Sequence, residues 1–139
     1  MSAGQWAAFV CYALAALLSL VFGALYLVRS QFMPYHQEAV GMPWQQLDPR
    51  FQALLLGLLR VAGGGFLTAG ISVGILLILP YRGAEAWSRY AIPVIGLASG
   101  VPALYATILI RARTGARTPV AASAAAIGLI VTGFILSLF

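Results

Sequence analysis

Polar and apolar positions alternate along this chain in blocks, not in a two- or three-residue rhythm. Four apolar runs cover residues 6–28, 51–79, 90–110 and 119–139, separated by short polar stretches. Each run reaches the ~20 helical residues needed to cross a bilayer core, so the pattern predicts four transmembrane helices. The expected fold is an all-α integral membrane bundle, one domain over residues 1–139, with the first loop capping it. The first run has no basic residue before it and is too long for a signal-peptide core, so it is expected to be retained as a span.

Within the runs, small and hydroxyl residues gather on stripes at helical spacing. The first span has Tyr12, Ala15, Ala16, Ser19, Gly23, Tyr26 and Ser30 on one face. The third has Pro93, Gly96, Ser99, Gly100, Ala103 and Thr107, and the fourth Ala121, Ala122, Ala125, Gly128 and Thr132. Small residues let membrane helices approach closely, so these stripes are expected to face the bundle. In the second span, Gly57, Gly63, Gly64, Gly70 and Gly74 share a face with Arg60, and Gly65 lies opposite. That face is expected to be the packed one, with Arg60 pointing into the protein.

Arg60 is the most informative single position. It lies in Leu58-Leu59-Arg60-Val61-Ala62, and no span contains an acidic residue to pair with it. An ionisable group inside a membrane helix is costly unless protein, water or a ligand receives it. The backbone carbonyls freed by Pro93 and Pro102 are candidate acceptors. If the second helix starts at Pro49 and ends near Pro80 it is ~46 Å long, so its first turns must project or tilt. The depth of Arg60 therefore depends on how far they stand out of the core.

The first loop, residues 31–50, is the longest polar stretch and is divided by Pro34, Pro43 and Pro49. At most a one- or two-turn helix fits between these prolines. Tyr35 and Trp44 supply apolar anchors suited to a headgroup layer. Asp48-Pro49 reads as a helix start, carboxylate at the N-cap and proline at the first helical position. The loop is expected to fold over the end of the bundle. The candidate ligand-binding set is Arg60, His36, Glu38, Asp48, Trp44 and Tyr35, with His36 or Glu38 brought within reach of Arg60.

Composition narrows the function classes. Charged residues make up only 8% of the chain, against about a quarter in soluble domains. The net charge of +5 comes from arginine alone. No basic run is interleaved with a nucleic-acid-reading motif, so the charge reads as membrane orientation and not as nucleic-acid binding. Arg29, Arg50, Arg111, Arg113 and Arg117 flank the first and third loops, whereas Arg82 and Arg89, offset by Glu85, mark the other side. Loops one and three are therefore expected in the cytoplasm, with both termini periplasmic or extracellular. One cysteine, Cys11, and one histidine leave no disulfide, thiolate cage or bis-histidine haem within a chain, and no metal or cofactor is expected.

The stretch PYHQEAVGMPWQQLDPRFQALLLGLLRVAGGG resembles the loop and second span of a group of small bacterial four-helix membrane proteins. That resemblance implies a bacterial inner-membrane location and brings no activity with it; the small-residue faces of all four helices are what suggest a compact bundle. The residues themselves favour an accessory subunit or a protein binding a lipid-like ligand. Its expected partners are the bilayer, a larger membrane complex or further copies of itself. The competing readings are an intramembrane enzyme acting on an isoprenoid, sterol-like or lipid substrate, and a small oligomeric transporter.

Overall fold

A computed structural model describes all 139 residues. The chain is all-α, with no strand. Helix α1 runs Ala3–Val28, α2 Pro34–Val40, α3 Pro49–Leu76, α4 Ser88–Thr114 and α5 Val120–Leu136. Trp44–Gln46 forms one 3-10 turn, and Leu77–Tyr81 extends α3 by a π-helical turn. Three helices are long and apolar enough to cross a membrane: α1, α3 with its extension, and α4. The expected fourth span is shorter than the sequence run implied. α5 has 17 residues, below the ~20 that a straight crossing takes.

Local chemistry sets the helix ends. Ser2 caps α1 through a reciprocal pair of bonds with Gln5, 3.1 and 2.9 Å long. Pro34 opens α2, and Gly41 closes it in the left-handed region at φ 77°. Asp48 caps α3 as expected, its carboxylate accepting from the Arg50 amide at 2.8 Å, with Pro49 next. Pro80 has no amide to donate, and the chain passes it in the π turn, where the Arg82 amide reaches back to the Leu77 carbonyl. Gly115, at φ 74°, ends α4.

The four long helices form a ring in the order α1, α3, α4, α5, each antiparallel to its neighbours, with α3 and α4 the least closely packed pair. Close approach fixes three of the four seams. A Cβ on Gly63 would lie 2.9 Å from the Gly23 carbonyl oxygen, and one on Gly70 would lie 2.8 Å from Leu20 Cγ. Gly133 receives the Tyr12 ring, and Gly96 receives Ile130. Small residues at these points let backbones meet.

The first-span stripe faces inward as expected, with Tyr12, Ala15, Ala16 and Gly23 buried. Two other stripes need correction. In α5, Ala121, Ala125, Gly128 and Thr132 face outward, and Ile130 and Gly133 are the buried positions. In α3, Gly63 and Gly70 pack on α1, but a side chain at Gly57, Gly64 or Gly74 would meet nothing within 4 Å.

The side-chain core occupies only one end of the ring. Tyr12, Val73, Leu77, Tyr81, Ile92 and Ile130 fill the end that carries both termini and the α3–α4 turn. There the Tyr81 hydroxyl donates to the Gln5 carbonyl at 3.1 Å. The opposite half, toward the first loop, is hollow.

Candidate functional site: a capped cavity in the bundle

Arg60 lies level with the C-terminus of α1. Its Nη1 donates to the Tyr26 carbonyl at 2.6 Å and its Nη2 to the Arg29 carbonyl at 2.7 Å. The last carbonyls of a helix have no amide partner within it, and they form the negative end of its dipole. Arg60 thus closes the end of α1 and is held inward, as expected. Its partners are not the carbonyls freed by Pro93 and Pro102, nor a loop carboxylate. The eleven residues from Pro49 to Leu59 extend about 16 Å beyond this level.

The first loop folds against this end of the ring. Phe32 is 4% exposed, with Trp44 edge-on at 4.9 Å between ring centroids and His36 at 6.4 Å. Gln52 Nε2 donates to the Trp44 carbonyl at 2.8 Å, which ties the 3-10 turn to α3. Glu38 reaches the loop between α4 and α5, accepting from the Arg117 amide at 2.9 Å. Beside it, Thr118 Oγ1 donates to the Thr107 carbonyl at 2.7 Å.

The six candidate residues therefore do not form one cluster. Asp48 is a helix cap, Glu38 a tie to the α4–α5 loop, Trp44 a packing anchor and Arg60 a clamp on α1. Tyr35 and His36 do come together, with their ring centroids 4.4 Å apart. They meet Tyr26 of α1, whose hydroxyl is bonded to that of Tyr35. His36 Nδ1 accepts from the Met33 amide at 3.2 Å, so the ring is neutral and carries its proton on Nε2. Burial lowers the His36 pKa from its ordinary value. Burial, followed by the bond to Tyr26, raises that of Tyr35. Both groups thus keep a neutral, proton-donating form.

Below these three rings lies a cavity of about 880 Å³. Ligand pockets typically measure ~300–1,000 Å³, so this one is at the large end. Its floor is Ala16, Val73, Ile95 and Ile130, the top of the packed core, and its roof is Tyr26, Tyr35, His36, Thr118 and Pro119. The space exists because α3, α4 and α5 present Gly65, Ala103, Ala122 and Ala126 here, side chains too short to meet across the ring. Ser99 and Thr107 also line it, and their hydroxyls donate to the Gly96 and Leu104 carbonyls of their own helix. No arginine, aspartate or glutamate is among the lining residues.

The lining residues that are exposed are Ala62, Gly65 and Thr68 of α3 and Ala98, Pro102 and Ala106 of α4. The cavity thus opens sideways through the loosely packed α3–α4 seam. Sequence reading took small stripes as contact surfaces and missed it. The signal in the sequence was that α3, α4 and α5 are all rich in glycine, alanine and serine, more than close helix contact alone would use.

Comparison of the chain with protein-family models, with curated proteins and with solved structures finds no match. The functional reading therefore rests on the site's own geometry.

Proposed function

We propose that this chain is a four-span integral membrane protein that holds a lipid-like ligand in the hollow half of its bundle. The observation that carries the reading is the lateral opening: an apolar cavity whose exposed lining lies only along the α3–α4 seam. In a bilayer that seam faces acyl chains, so an apolar molecule can pass into the cavity without crossing water. The packed core stops it at one end, and the first loop covers the other.

α5 serves as the fourth span in this reading. It reaches from Thr118 beside α4 to Leu136, where a Cβ on Gly4 would lie 2.9 Å from the Leu136 carbonyl oxygen. It therefore runs the full height of the ring. In this reading, on the arginine asymmetry, the capped end is cytoplasmic and the termini are outside.

The test is native mass spectrometry of the protein released from nanodiscs, beside an Ala103→Trp variant that fills the cavity. The wild-type chain is expected to carry a non-protein mass that the variant loses while keeping its helical circular dichroism. An identical lipid complement in both proteins overturns the reading.

A further inference from the structure

The cavity narrows the chemistry of what it takes. We propose that the ligand carries a neutral hydrogen-bonding head, a hydroxyl or carbonyl, seated at Tyr26, Tyr35 and His36, with an apolar body extending toward Val73 and Ile130. This rests on the reading of the cavity as a ligand site and adds the class of ligand.

The roof offers donors without charge. Two phenols share two protons, and the bond between Tyr26 and Tyr35 uses one of them, leaving the other for an acceptor. His36, its Nδ1 occupied by the Met33 amide, has a second donor in Nε2–H. A hydroxyl or carbonyl buried here regains the hydrogen bonds it loses on leaving water. An ionised phosphate would not, because an unpaired buried charge is far more costly than a bonded polar group.

The cations nearby stand outside the lining. Arg60 spends two of its nitrogens on the carbonyls of α1. Arg29, close enough to Tyr35 to act on its hydroxyl, does not line the cavity. Below the roof, the Thr68, Ser99 and Thr107 hydroxyls donate to carbonyls of their own helices, whereas Ser19 and Ser72, also in the lining, make no such bond. The rest of the lower lining is alanine, glycine and larger apolar side chains such as Leu18, Phe22, Val73 and Ile130, so the lower cavity suits a largely hydrocarbon body. Its extent along α4, from Ile95 to Ile110, is about 22 Å, so the ligand's apolar body is long.

A matched pair of probes decides the matter: hexadecanol and hexadecyl phosphate, identical but for the head. Each is added at equal mole fraction to nanodiscs holding the full chain, and bound adducts are read by native mass spectrometry. Hexadecanol is expected to bind at least about tenfold better than its phosphate, as for the loss of one good hydrogen-bonding match. Tyr35→Phe keeps the ring that packs on His36 and removes the hydroxyl. It is expected to weaken hexadecanol severalfold and to leave hexadecane binding unchanged. Equal or tighter binding of the phosphate overturns the neutral-head proposal and assigns the head to Arg29, while the cavity remains a ligand site. Unchanged hexadecanol binding by Tyr35→Phe overturns the seating at the roof. Failure of every probe to bind the wild-type chain removes the ligand reading and this proposal together.

Discussion

At the scale of single residues, Arg60 and Glu38 show how differently two charges can act in one bundle. Arg60 makes two short bonds to carbonyls that nothing else satisfies, and hydrogen bonds to charged groups are worth about 1.5–3 kcal/mol each. Replacing it with methionine keeps the length of the side chain and removes both bonds. The expected loss is about 2–4 kcal/mol in reversible unfolding by denaturing detergent, with Arg60→Lys intermediate because one ammonium cannot match both carbonyls. Loss below ~0.5 kcal/mol would mean that the clamp does not hold α1. Glu38 and Arg117 lie 3.9 Å apart with side chains 44% and 90% exposed, and pairs of that kind contribute 0–1 kcal/mol. The inward direction of Arg60 was legible from Gly63 and Gly70, which share its face and pack on α1, although Gly57, Gly64 and Gly74 on that face meet open space. Its partners were not, because a helix-end carbonyl belongs to no residue type and leaves no mark in the sequence.

At the scale of elements, the same limit appears in the stripes. α1 mixes large leucines with small residues, so its wheel has two distinct sides and its inward face could be read. α5 is apolar all round, from Val120 to Leu136, and such a helix gives no moment to orient it. Its buried side is fixed by what meets it, Tyr12 at Gly133 and Gly96 at Ile130, and those are tertiary facts. α3 offers a paired test of which glycines are contact points. Gly63→Ala places a methyl 2.9 Å from the Gly23 carbonyl oxygen, where backbone cannot yield cheaply. It is expected to cost about 1–3 kcal/mol, the usual range for overpacking. Gly64→Ala, one residue on, meets open space. It is expected to be neutral or to stabilise the helix by up to about 1 kcal/mol. The two variants are compared by thermal unfolding in the same detergent, and equal effects would refute the α1–α3 seam as drawn.

At the scale of the whole molecule, the two ends of the ring differ in filling and in charge. The packed end has the termini, the α3–α4 turn, Arg82 and Arg89. The hollow end has the first loop, the α4–α5 loop and the five remaining flanking arginines. α5 is the weak link in any topology, since its 17 residues span about 26 Å against a core of ~30 Å. Thr118, Pro119 and the three residues after Leu136 lengthen it. Local thinning of the bilayer or a small tilt of its neighbours absorbs what is left, at fractions of a kcal/mol per Å of mismatch. α5 is therefore expected to cross. Single cysteines at Ser2, Gly41, Gly115 and Phe139, each in the Cys11→Ala background, test this in intact cells with an impermeant thiol reagent. Ser2→Cys and Phe139→Cys should label from outside, and Gly41→Cys and Gly115→Cys only after the membrane is opened. Uniform reversal would overturn the orientation and leave the bundle intact. Labelling that puts positions 2 and 139 on opposite sides would refute the fourth crossing, and with it the closed ring that gives the cavity its back wall.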